Sequence, residues 1–244
     1  MTKRNALERS VPGLAAAAGV AVVAAIGLVW GYAPVEAVLG LSQKIFYIHV
    51  PSAWVMYAAT GLCAVAGTVF LATNGERAEA LAAAAGSVAL RFCAVVLITG
   101  PMWARAAWNA WWRWEPRLTS VLVLGFLLVG HAVLRRAAER TPPLSRFAAA
   151  LAILALIDLP IIHLAVRKWR GHHPTVLGAG GGGVTTEMAV TLGVALVAFT
   201  VLALVLLLLR YRLEIVRREV ARRLVAAAAT PPPESGGTGC PPRS

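Results

Sequence analysis

Six stretches of this 244-residue chain are apolar over the length needed to cross a lipid bilayer. They run from Leu14 to Tyr32, Ser52 to Thr73, Leu81 to Gly100, Thr119 to Leu134, Phe147 to Val166 and Met188 to Leu209. A backbone inside hydrocarbon must satisfy its own N–H and C=O groups, so runs of about 20 apolar residues become helices. The expected fold class is all-α: a polytopic membrane protein with six transmembrane helices. Residues 1–13 form an N-terminal segment, 14–209 the transmembrane domain, and 210–244 a basic, then Pro/Gly-rich tail whose last stretch, from Thr230 onward, is expected to be disordered. The first run is long for a signal peptide and lacks a clear small-residue cleavage site, so it reads as a retained anchor.

Only 14% of the residues are charged, against ~25% in a soluble domain. The net charge of +12 could suggest nucleic acid, but the basic residues sit at the ends of apolar runs. With the N-terminus inside, fifteen Lys and Arg residues fall in cytoplasmic segments and seven in outer ones. That bias puts both termini in the cytoplasm. Three loops then face outward: Ala33 to Pro51, Pro101 to Leu118 and Arg167 to Thr186. Cys63, Cys93 and Cys240 form no CxxC or CxxCH, which leaves a disulfide framework, a dithiol and covalent c-type haem attachment unsupported.

All eight tryptophans lie at the outer ends of spans or in the outer loops. A plain aromatic belt would occupy both interfaces. Five of them, Trp103, Trp108, Trp111, Trp112 and Trp114, are packed into WARAAWNAWWRW. At about 100° per residue they share one half of a helical wheel, with Arg105, Asn109 and Arg113 on the other. The spacing predicts an amphipathic helix from Trp103 to Trp114 along the membrane surface, stopped at Glu115 by Pro116. A broad aromatic face flanked by arginines suits a flat, apolar, anionic ligand such as haem, whose propionates pair with guanidinium forks.

Two of the five histidines fit that ligand. His49, in FYIHVPSAW, and His163, in DLPIIHLAV, fall at similar depth near the outer face, and two imidazoles can hold one haem iron axially. His172 and His173 read as solvated loop residues with a weaker option of binding a metal. His131, deep in the fourth span, reads as a core histidine. Arg91 and Asp158 lie midway through their spans, where each charge costs roughly 2.5–3.5 kcal/mol. A buried ion pair between them is the expected solution, and a proton or substrate path is the alternative.

The stretch WWRWEPRLTS resembles the tryptophan-rich signature of the membrane proteins that handle haem in cytochrome c maturation. FYIHVPSAW and DLPIIH resemble the two histidine segments of one such family, haem exporter protein C (CcmC), and the six-span layout is similar. The resemblance covers about Leu14 to Arg210. It implies a multi-pass protein of the bacterial plasma membrane that binds haem b transiently and non-covalently at the outer face. Trp103, Trp108, Trp111, Trp112, Trp114, Glu115, Arg117 and Lys44 would contact the haem. His49 and His163 would be the axial ligands. The implied partners are a periplasmic haem chaperone, a small membrane subunit and an ATP-binding cassette transporter, besides membrane lipid; nucleic acid is not among them. The chain departs from the family pattern in having Glu115 where aspartate is usual, Asn109 where glycine is common and Lys44 where arginine is more frequent.

The implied role is haem transfer rather than catalysis. No GxxxxGK[ST] occurs, so energy would come from a partner. A haem lyase acting on apocytochrome c is the alternative enzyme reading. A b-type electron-transfer cytochrome and a purely anchoring subunit are the other two classes. Haem content separates the anchor from the rest, and the covalent product separates transfer from lyase.

Overall fold

A computed structural model describes residues 6–139, 141–168 and 184–229. Six helices follow in chain order: α1 (Ala6–Gly31), α2 (Phe46–Thr73), α3 (Glu76–Trp108), α4 (Pro116–Ala137), α5 (Leu144–Lys168) and α6 (Thr186–Ala229). A short 3-10 helix, Leu41–Ile45, leads into α2. Each of the six helices is long and apolar enough to cross a membrane. The protein is all-α and multi-pass.

Local chemistry sets the boundaries. Asn74 closes α2 in the left-handed region at φ 52°, with its N–H on the Phe70 carbonyl, and Gly75 opens α3. The left-handed region is one that asparagine tolerates. Pro116 occupies the first turn of α4, where its missing N–H costs nothing. Pro51, Pro101 and Pro160 lie inside α2, α3 and α5, as neighbouring helices in a membrane bundle permit.

The helices pack as three close pairs, α2 on α3, α4 on α5 and α1 on α6, and α2 also packs on α5. The α2–α3 contact is made by small residues: Ala80, Ala85 and Ala89 of α3 and Ala64 of α2 are all fully buried. The main core joins Met56, Val88, Leu124, Leu128 and Ile162, with Phe199 and Leu202 of α6 against it. His131 is a core residue, as expected. Its Nδ1 lies 2.9 Å from the Ala148 carbonyl and its Nε2 3.7 Å from Cys63 Sγ.

Two expectations need correction. The amphipathic helix from Trp103 to Trp114 does not form as one unit. Trp103 to Trp108 end α3, and Asn109 breaks the helix at φ 55°. Arg105 holds that break by donating to the Asn109 carbonyl at 2.9 Å and to the Asn109 side chain. Residues 110–115 have no helical structure. The second correction concerns Arg91 and Asp158. Arg91 donates to the Ser87 carbonyl and hydroxyl and forms no ion pair among the described residues. Asp158 is 8% exposed, with Oδ2 buried and unpartnered. Equal depth had suggested a pair, but α5 packs mainly on α4 and α2 and barely touches α3. Beyond the apolar run, α6 continues through the basic segment to Ala229. Residues 230–244, with Cys240 and the Pro/Gly-rich end, lie outside the described residues, as do His172, His173 and Trp169.

Candidate functional site

At the end of the bundle where α3 gives way to the tryptophan stretch, a cavity of about 640 Å³ opens between α2, α3, α4 and α6. That size lies within the range of pockets for small-molecule ligands and cofactors. Its floor is apolar, with Ala53, Leu97, Val121 and Ile162 among its lining residues. Polar groups enter at few places: His49 and Tyr57 from α2, Arg117 from α4, and Gln43 and Glu36 from the segment before α2.

Each group is held by its local structure. Glu36 Oε2 accepts from the N–H groups of Val38 and Leu39 at 3.0 and 2.6 Å, closing a tight turn completed by Gly40 at φ 58°. That turn delivers the 3-10 helix and His49 to the cavity edge. His49 Nδ1 lies 2.8 Å from Thr99 Oγ1. The Thr99 hydroxyl donates its single proton to the Val95 carbonyl at 2.7 Å. Its oxygen therefore accepts from His49, so Nδ1 carries the proton and Nε2 keeps its lone pair. A histidine oriented in this way is a competent metal ligand.

Trp103, Trp108 and Trp112 also line the cavity. Trp103 and Trp108 meet edge to face with centroids 5.3 Å apart, and the Arg113 guanidinium stands 5.8 Å from the Trp108 centroid. Trp112 Nε1 is buried without an acceptor. A buried donor of this kind is costly unless something accepts from it. Arg117 offers a guanidinium to the same space, and Glu115 and Tyr57 act on its charge. A flat apolar molecule with carboxylates fits this set: apolar walls and indole rings, a buried indole donor, a guanidinium, and an imidazole with a free lone pair.

Five of the expected residues therefore share one cavity: His49, Trp103, Trp108, Trp112 and Arg117. The other five do not line it. Trp111 and Trp114 are 61% and 78% exposed, the latter in edge contact with Trp112 at 5.7 Å. Glu115 is buried and does not line the cavity. Lys44 is turned the other way: its ammonium donates to the carbonyls of Val29, in the last turn of α1, and Ala33, just beyond it, and sits 5.2 Å from the Trp30 ring centroid. His163 is exposed on α5, while its neighbour Ile162 is the residue that faces the cavity.

Sequence reasoning missed Thr99, whose role depends on the register of α2 against α3. It also missed Met188 of α6 and Val184 just before that helix, which reach the cavity from far along the chain. Neither carries a motif that would have marked it. Among the described residues no group of three or more His, Cys, Asp or Glu side chains could hold a bare metal ion.

Comparison with known proteins agrees with the resemblance. The family model described as heme exporter protein C matches residues 2–226. The heme exporter protein C of Bradyrhizobium diazoefficiens is 36% identical over 215 residues, covering 87% of this chain and 81% of that one. That of Escherichia coli K12 is 38% identical over 168 residues, 67% of this chain and 66% of that one. That of Haemophilus influenzae is 31% identical over 205 residues, 82% and 83% of the two chains. This chain belongs to the heme exporter protein C family.

Proposed function

We propose that this protein holds haem b, non-covalently and transiently, in the cavity beside the tryptophan stretch, and hands it to a periplasmic haem chaperone during cytochrome c maturation. The haem is cargo, and the protein acts as a transfer component rather than an enzyme. In this reading the opposite end of the bundle faces the cytoplasm of a bacterial cell and the cavity the outer side of the plasma membrane, and the bias of Lys and Arg supports that orientation. A small membrane subunit and an ATP-binding cassette transporter complete the system.

The observation that carries this reading is His49: an imidazole with a free Nε2, at the edge of an apolar cavity that also holds Arg117 and the unpartnered Trp112 N–H. Haem in this space would present its iron to Nε2 and its propionates to Arg117 and Trp112. Trp111 and Trp114, exposed next to the cavity, are the surface a chaperone would meet. Exposed indoles next to a bound ligand suit transient docking, since aromatic anchors dominate many interfaces.

His163 is proposed as the second axial ligand. Its exposed position makes the test direct. Haem-loaded wild-type protein and His163→Ala are compared by optical spectrum. A lost low-spin signature assigns His163; an unchanged one moves the second ligand to His172 or His173, the remaining histidines of the outer segments. Transfer is tested separately by mixing haem-loaded protein with the chaperone. Normal covalent loading by a Trp111→Ala/Trp114→Ala variant would refute the docking role.

A further inference from the structure

The last helix is longer than one membrane crossing requires. The 44 residues of α6 measure about 66 Å at ~1.5 Å per residue, against ~30 Å for a hydrocarbon layer. Met188 to Leu209 carries no charged residue and accounts for one crossing. Residues 210–223 then hold six arginines and two glutamates, a net charge of +4. No proline interrupts the helix. Its second half is also held in line with the bundle. Arg218 donates to Glu79 at 2.6 Å and Arg222 pairs with Glu76 at 3.5 Å, both in the first turn of α3.

The side of α6 opposite Arg218 and Arg222 is apolar. Leu213, Val216, Val220 and Leu224 are each between 37% and 66% exposed. Their spacings of three and four residues put them within ~80° of one another on the helical wheel, in a single stripe. Arginines edge it on both sides at ~100° per residue: Arg210 and Arg217 on one, Arg212 and Arg223 on the other. Glu214 and Glu219 offset Arg217 and Arg223, at 3.9 and 2.7 Å. Arg210 and Arg212 have no carboxylate among the described residues. Exposed apolar side chains scattered singly are ordinary, but a contiguous row rimmed by charge marks an interaction surface.

We infer that this stripe is the docking face for an amphipathic helix of a partner protein, one whose own apolar stripe is edged by aspartate and glutamate. Helices pair through such stripes, and the charges beside them choose the partner. Charge decides among the occupants. A second copy of α6 would set arginine rows against arginine rows, a repulsive arrangement. Residues 230–244 hold no large apolar side chain to cover the stripe. A membrane surface attracts basic amphipathic helices that lie along it. This face instead continues one unbroken membrane-crossing helix, whose other side is fastened to Glu76 and Glu79. An acid-edged helix satisfies both the apolar row and the uncompensated Arg210 and Arg212. Val216 stands ~42 Å along α6 from Met188, which lines the first cavity, so a helix docked here leaves that cavity untouched.

The test uses the full-length protein in phosphatidylcholine nanodiscs and two fluorescent helical peptides with the same leucine stripe, one edged by glutamate and one by lysine. Anisotropy is expected to show saturable binding of the glutamate peptide alone. Val216→Ser and Val220→Ser are each expected to weaken it about tenfold. Arg212→Glu/Arg223→Glu is expected to reverse the preference, so that the lysine peptide binds. Equal binding of both peptides overturns the proposal, as does binding of neither or undiminished binding by both serine variants. Two controls expose the other occupants. Disulfide cross-linking between copies of Val216→Cys in detergent, with Cys240→Ser, overturns the proposal in favour of a second copy. A fluorophore on Val220→Cys that is already buried in phosphatidylglycerol nanodiscs, before peptide is added, overturns it in favour of the bilayer.

Discussion

His49 Nδ1 and Thr99 Oγ1 are 2.8 Å apart, and the only proton of that hydroxyl goes to the Val95 carbonyl. One residue of α3 thereby fixes the tautomer of the cavity imidazole on α2. Thr99→Val removes the acceptor while keeping the shape. Haem affinity is expected to fall roughly tenfold, the lower end of what such outer partners of metal-binding histidines contribute. Thr99→Ser restores the acceptor and is expected to recover it. Equal affinity in wild type and Thr99→Val, measured by haem titration, contradicts the assignment.

Trp112 and Trp114 touch each other but face different surroundings. Trp112→Phe keeps a ring in the cavity wall and removes the buried N–H. It is expected to weaken haem binding by about 1 kcal/mol, a typical net hydrogen-bond contribution. Trp114→Phe is expected to leave binding unchanged, because its ring is exposed. Arg117→Lys is expected to lose more than Trp112→Phe, since a lysine makes no forked contact with a carboxylate. Isothermal titration with haem ranks the three.

Gly86 and His131 are in closer contact than any side chain would allow. A Cβ at position 86 would lie 2.6 Å from His131 Nε2 and 3.1 Å from Cys63 Sγ. Gly86→Ala therefore forces His131 off the Ala148 carbonyl. The expected loss is about 1–3 kcal/mol, as for overpacked cores. Thermal unfolding in detergent reads it, and haem affinity per folded molecule is expected to stay unchanged.

Glu79 accepts from arginines of two other helices, Arg135 of α4 and Arg218 of α6. Glu79→Gln leaves Arg218 without a carboxylate and Arg135 with only Glu214, at 3.9 Å, in a partly buried site. A loss of about 2 kcal/mol is expected, below the 3–5 kcal/mol of a fully buried pair because all three side chains keep some solvent contact. Unfolding in detergent at low and high salt checks it, and the loss is expected to shrink as salt screens the pairs.

The six helices were legible because apolar length leaves a membrane chain few alternatives. Asn74-Gly75 and Pro116 stand at two of the boundaries. Asn109 was harder: the wheel of tryptophans pointed to continued helix, and the break depends on one left-handed residue held by Arg105. The length of α6 beyond its apolar run was not legible, because basic composition says nothing for or against helix. Its Glu219 pairs with Arg223 at 2.7 Å, a one-turn spacing that supports helix. The cavity residues His49, Trp103, Trp108, Trp112 and Arg117 were visible by type and position. Lys44 and His163 were visible by the same signals, but which way a side chain turns is decided by packing. Lys44 finds the open carbonyls of α1, and Ile162 rather than His163 takes the inward face of α5.

The central claim is that His49 Nε2 ligates the haem iron. His49→Gly removes the imidazole and leaves room for a free one. The purified variant is loaded with haem, and its oxidised and reduced spectra are recorded before and after adding imidazole. The account predicts loss of the low-spin spectrum in His49→Gly and its return with imidazole. A low-spin spectrum identical to wild type in His49→Gly, before any imidazole is added, would contradict it.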